Sequence, residues 1–184
     1  VPEAPATVNA LGASQAAYFN QNNLISPELL ARLKSEFGLE KDAIRLYAQP
    51  YVYLNHEVIK KKDVALDKVQ KAVAEELLKV KGIAYAVTSS DIEKNQVPNT
   101  HTMQLVKNNY HPMRSGDVYV VYNPRNYIND MDGLTIASTH GSPWRYDTHV
   151  PVIFAGYNID DEKISREITP YDIAPTLSNV LGIT

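Results

Sequence analysis

The apolar stripe Leu66, Val69, Val73, Leu77 and Val80, which returns every three or four residues between charged faces, most narrows what this chain can fold into. It predicts a helix from about Asp63 to Val80 that must lay one face on an apolar surface. Both flanks offer such a surface. Ala43 to Asn55 is β-like, with Ile44, Leu46, Val52 and Leu54 around a break at Pro50, and fits either two short strands or one bulged strand. Ile83 to Thr88 reads as a strand after Gly82. A polar stretch follows, then a short helix around His101 to Asn109 and a strand over Asp117 to Tyr122. Strand, helix, strand, helix, strand over residues 41–125 predicts an α/β subdomain of ferredoxin-like character.

On either side of this region the signals are punctuated by caps. Ser26 can cap a free backbone N–H and Pro27 suits the first helical position. Leu29, Leu30, Leu33 and Phe37 then share a face, and Gly38 supplies the stop. Further on, Gly133 to Ser138 reads as a strand that leads into Thr139-His140-Gly141-Ser142-Pro143, which no regular element accommodates. A histidine at a strand exit, followed by glycine and a turn, is how α/β enzymes project a ligand or catalytic group beyond the strand ends. Val150 to Gly156 is almost continuously apolar and predicts a strand buried on both faces, which favours a parallel sheet. Near the end, Pro175 must lie in a first helical turn, so Asp172 is preferred to Thr169 as N-cap. Ile173, Leu177, Val180 and Leu181 form the expected buried face and Gly182 the stop.

At 184 residues the chain can hold one sizeable core, or a core segment with one insertion. The absence of cysteine excludes disulfides, thiolate metal sites and a cysteine nucleophile. A net charge of -3 argues against nucleic-acid binding, and Lys60-Lys61-Lys62 is read as a solvated loop. No stretch reaches the ~20 apolar residues a bilayer span requires, so no membrane contact is expected. A removed signal peptide, or one upstream of a fragment, stays open.

Three blocks in the C-terminal third occur in an order that has a familiar counterpart: His140-Gly141-Ser142-Pro143, then Tyr146-Asp147-Thr148-His149-Val150-Pro151-Val152-Ile153-Phe154, then Asp172-Ile173-Ala174-Pro175-Thr176-Leu177 with Leu181-Gly182-Ile183. Together with Tyr51-Val52-Tyr53-Leu54-Asn55, they resemble the C-terminal portion of alkaline phosphatases related to the type I phosphodiesterase and nucleotide pyrophosphatase family. The resemblance implies the C-terminal part of an α/β/α sandwich. On that reading residues 1–40 are a core-linking helical segment, 41–125 an inserted α/β subdomain, and 126–184 the last segment of the phosphatase core. It further implies two zinc ions held by Asp and His, a Thr or Ser nucleophile, a phosphate ester substrate and a periplasmic or secreted location.

In that pattern the histidine that opens the His-Gly-Ser-Pro block is a zinc ligand, which places the metal role on His140. The nucleophile, an Asp-x-x-x-His pair and an Asp-His-Gly block do not occur in this sequence, and the resemblance assigns them to a missing N-terminal half. The chain by itself is therefore expected to be inactive, with no catalytic residue of its own. Its half-core is expected to associate through uncovered apolar surface. A phosphodiesterase of the same superfamily and a non-catalytic α/β binding domain are the alternatives.

Other residues carry plainer expectations. His149 is read as a structural histidine, and His56, His101 and His111 as surface or packing residues of the insertion. Asp147 either orients the His140 ring, caps a turn or pairs with Arg145. Asp130-Met131-Asp132-Gly133 resembles the start of a calcium loop but lacks the later ligands, so a turn is expected. Tyr119, Tyr122, Asn123, Asn126 and Tyr127 either line a substrate entrance or edge a strand.

Overall fold

A computed structural model describes residues 17–19, 21–128, 130–131, 134–135, 139–156 and 159–183. Its strands and helices, in chain order, are β1 Ala17–Phe19, α1 Pro27–Phe37, β2 Ile44–Ala48, β3 Tyr51–Leu54, α2 His56–Lys61, α3 Leu66–Leu77, β4 Ile83–Thr88, α4 Ser89–Glu93, α5 His101–Asn109, β5 Val118–Tyr122, β6 Asn126–Ile128, β7 Asp130–Met131, β8 Leu134–Thr135, α6 Arg145–Thr148 and α7 Ile173–Leu181. The chain divides into two compact units, residues 1–150 and 151–184.

The first unit is organised by one four-stranded sheet of order β2-β3-β5-β4, with every neighbouring pair antiparallel. The β2–β3 hairpin turns at a cis Gln49–Pro50 bond, so the break at Pro50 separates two strands. Strand β5 lies between β3 and β4, and the β3-to-β4 connection runs through α2 and α3. This is the split crossover of a ferredoxin-like arrangement.

All five residues of β5 are buried, because helices cover both faces of the sheet. Val118, Val120 and Tyr122 pack with Leu29 and Leu33 of α1 and Val69, Val73 and Leu77 of α3. Tyr119 and Val121 point the other way, onto Ile92 of α4 and Met103 and Val106 of α5. The helix stripe read from the sequence thus finds its apolar floor. Each fully buried Leu or Val contributes about 1.5–3 kcal/mol of transfer free energy.

Local chemistry sets the helix limits. Ser26 Oγ accepts from Leu29 N–H at 3.1 Å, Pro27 opens α1, and Gly38 closes it at φ +64°. Helix α3 begins at Leu66 rather than Asp63, since Asp63 has φ +56°, outside the helical region. The lysine run Lys60-Lys61-Lys62 is exposed as expected, but it forms the last turn and cap of α2 instead of a loop. Arg32 ties α1 to α3 through Glu75 at 2.7 Å and Glu76 at 3.1 Å. Glu76 also accepts from Lys79 Nζ at 2.6 Å.

A buried polar network completes this unit. Asp117, just before β5, accepts from Leu54 N–H at 2.7 Å and Gln70 Nε2 at 2.9 Å, and its Oδ1 lies 2.7 Å from His56 Nε2. Gln70 also donates to Ser89 Oγ at 2.8 Å and accepts from Ser90 N–H at 3.2 Å. His56, His101 and His111 are all exposed, and His56 bonds to the network through its Nε2. Beside the sheet, β1 pairs in parallel with β6, and β7 pairs antiparallel with β8; residues 132–133 of the segment expected to form a turn lie outside the described residues. Of the strand expected over Gly133 to Ser138, Leu134–Thr135 forms β8; residues 133 and 136–138 lie outside the described residues.

The second unit departs from its reading. Residues 151–156 carry no regular structure, and Ile153 is 82% exposed. An apolar run becomes a doubly buried strand only where strands on both sides satisfy its backbone, and among the described residues none pairs with it. Helix α7 forms over the expected residues and ends at Gly182, φ +65°. Its apolar face is open to solvent, with Val180 59% and Leu181 67% exposed. Asp172 precedes α7 but does not cap it with its side chain. Asp172 still occupies the N-cap position of α7, as expected, while its carboxylate turns back to accept from Thr169 N–H at 2.7 Å and Thr169 Oγ1 at 3.0 Å; Thr169 caps the 3-10 turn Pro170–Asp172 that precedes the helix. Those bonds hold the Asp172 carboxyl below its ordinary range.

Candidate functional site

His140 stands on the irregular turn predicted for it, exposed to solvent in the first unit. The residue after it explains the turn. Gly141 has φ +108°, a conformation that residues with a Cβ rarely adopt and only with strain, although a Cβ there would meet no atom within 4 Å; the constraint is conformational, not steric crowding.

After this reversal the chain is gathered by Asp147. Its Oδ2 accepts from the backbone N–H of Ser142 at 2.9 Å and from Ser142 Oγ at 2.6 Å, while Trp144 N–H donates to the same Oγ at 3.4 Å. Of the three roles left open for Asp147, the structure displays turn-capping. The one-turn helix α6 that carries it is fastened to the sheet unit twice. Trp144 Nε1 donates to Tyr122 O at 2.8 Å, and Arg125 N–H donates to Tyr146 Oη at 2.9 Å. His149 ends α6, exposed, with its N–H on Arg145 O at 2.9 Å.

The turn borders a cavity of about 30 Å³ whose other wall is the Gln49–Pro50 corner, Tyr119, Tyr122 and Asn126. That is room for a water or two. Tyr122 and Asn126 thus face the His140 turn as well as forming strand. The Tyr122 hydroxyl lies 2.8 Å from that of Tyr47, and burial pushes the Tyr122 phenol up to about 12 and Tyr47 higher still. Both phenols therefore stay protonated at neutral pH and serve as hydrogen-bonding groups. The structure does not bring Asn123 into this wall, and the side chain of Tyr127 lies outside the described residues.

The metal chemistry implied for His140 needs more donors. Among the described residues no group of three or more His, Cys, Asp or Glu is placed to hold an ion. A zinc site takes about three or four protein ligands, so the side chains described here do not by themselves fit one. Sequence reasoning singled out His140 and missed the roles of Ser142, Trp144 and Tyr122. An Asp five residues after a Ser in a turn was the available signal for the first.

Comparison with known proteins decides the relationship. The sequence model of the family described as type I phosphodiesterase / nucleotide pyrophosphatase matches residues 12–143. The chain belongs to this family. The alkaline phosphatase PafA of Elizabethkingia meningoseptica is 31% identical over 85% of this chain and 28% of its own length, and PhoV of Synechococcus elongatus is 26% identical over 94% and 32%. A protein of Myroides odoratus named a calcium-transporting ATPase is 33% identical over 91% of this chain and 30% of its own length. The crystal structure of wild-type PafA superimposes with a TM-score of 0.78 at 25% identity, covering 98% of this chain and 33% of PafA. The resemblance to the C-terminal portion of an alkaline phosphatase superfamily enzyme, and the fold it implied, hold. The chain spans about a third of the length of these relatives.

Proposed function

We propose that this chain is a portion of a two-zinc phosphate monoester hydrolase, to which it contributes His140 as one zinc ligand. The observation that carries the reading is the match of the chain to alkaline phosphatases, with His140 exposed on a hydrogen-bonded turn. A phosphodiesterase is the second reading, favoured by the description of the matching family. The division into 1–40, 41–125 and 126–184 belongs to the same proposal, as does a periplasmic or secreted location. Among the described residues no helix is long and apolar enough to cross a membrane.

A single imidazole cannot retain zinc, so the chain alone is proposed to be inactive, the nucleophile and the remaining ligands coming from the rest of the enzyme. When bound, such ions supply electrostatic stabilisation of phosphoryl oxygens. Elemental analysis of the purified chain beside His140→Ala tests this. Neither protein should carry stoichiometric zinc, and neither should hydrolyse an aryl phosphate monoester or diester. Stoichiometric zinc that vanishes in His140→Ala would overturn the inactive-portion reading.

A further inference from the structure

We propose that Asp147 is a positioning residue that sets the direction in which His140 projects. The proposal takes its functional meaning from the reading of His140 as a metal ligand, while its geometry stands on this chain alone. Ser142 follows Gly141 outside any strand or helix, so its N–H needs an acceptor from elsewhere. Asp147 Oδ2 supplies it and takes the Ser142 hydroxyl as well, at 2.9 and 2.6 Å. Both bonds end on one charged oxygen, the stronger class of hydrogen bond.

Asp147 is itself held in place. Helix α6 is anchored at two points, because the Trp144 indole is bonded to the last residue of β5 and the Tyr146 hydroxyl to the backbone of Arg125. A line of contacts therefore runs from β5 through Trp144, and from Arg125 through Tyr146, to Asp147, then through Ser142 and Gly141 to His140. Every group in it belongs to this chain, so the backbone that carries the imidazole is set before any other portion of an enzyme is present. A ligand ordered in advance loses less freedom when the ion binds.

The test is residue-resolved hydrogen exchange and imidazole NMR on the full 184-residue chain and its Asp147→Ala and Asp147→Asn variants. Loss of the carboxylate should speed exchange of the Ser142 amide about tenfold or more and shift the His140 ring resonances, with the amides of β5 unchanged. Asparagine, which keeps one acceptor oxygen, should restore most of the protection and return the ring resonances toward those of the parent. An Asp147→Ala chain with unaltered Ser142 and His140 signals overturns the proposal and leaves the zinc reading standing, since that reading is judged by metal content. Protection lost equally across β5, or no rescue by asparagine, also overturns it by reducing Asp147 to a stabilising residue.

Discussion

Replacing Asp117 with alanine strands two buried donors at once. The Leu54 N–H and the Gln70 amide both end on this carboxylate, which is 6% exposed, and Gln70 is 1% exposed. A hydrogen bond to a charged group contributes about 1.5–3 kcal/mol, and a donor left unsatisfied in the interior costs a similar amount. Gln70 keeps its bond to Ser89, so the bottom of that range applies to it and the middle to the Leu54 N–H, about 3–4 kcal/mol in all. The third contact counts for little, because the His56 side chain is 60% exposed and its pairing is screened by water. For a chain of this size each kcal/mol moves the melting midpoint by about 2–4 °C, so Asp117→Ala should melt roughly 10 °C below the parent. His56→Ala should stay within about 3 °C. Thermal unfolding followed by far-UV circular dichroism measures both. An Asp117→Ala midpoint within a few degrees of the parent, or a His56→Ala loss of equal size, would refute the reasoning that the interior donors carry the network.

Two further outcomes follow from the packing and from the charges. A Cβ on Gly116 would lie 2.6 Å from Tyr51 Cβ and 2.9 Å from Val52 O, both fixed on β3, so Gly116→Ala should lower stability by about 1–3 kcal/mol in urea titration. The Glu76 carboxyl is held below its ordinary value by Lys79 first and also by Arg32. A carboxyl depressed in the folded state adds stability above its unfolded pKa of about 4.3 and loses it as pH falls through the lower folded value. The melting difference between the parent and Glu76→Gln should therefore be largest near pH 6 and shrink toward pH 3.

Elements whose instructions lie within a few residues were legible in the sequence. Ser26-Pro27 and Gly38 delimit α1, Pro50 splits the hairpin, and Thr100 caps α5 at its expected start by accepting from Met103 N–H. Helix α2 escaped notice because six residues give too little periodicity to see, even though Asn55 Oδ1 accepts from Val58 N–H as its cap. The faces of Val150 to Gly156 and of α7 were read as buried because apolar pattern records what a segment is suited to cover, not whether a cover is present. In the candidate site, the glycine after His140 announced the turn. The contacts that hold it, from Asp147 to Ser142 and from Trp144 to Tyr122, depend on how α6 meets β5, 22 residues apart for the latter pair, and no local pattern encodes that.

Trp144 is the chain's single tryptophan, and its indole is bonded to the sheet with the Tyr85 ring 6.5 Å away. Light absorbed by neighbouring tyrosines will therefore be re-emitted from this one ring, and its wavelength will follow the wetness of the seam between α6 and β5. Loosening of the His140 turn will redden that emission while the ellipticity of α1 and α3 holds steady. The molecule thus contains an optical gauge, needing no label, that separates a slack turn from a melted core.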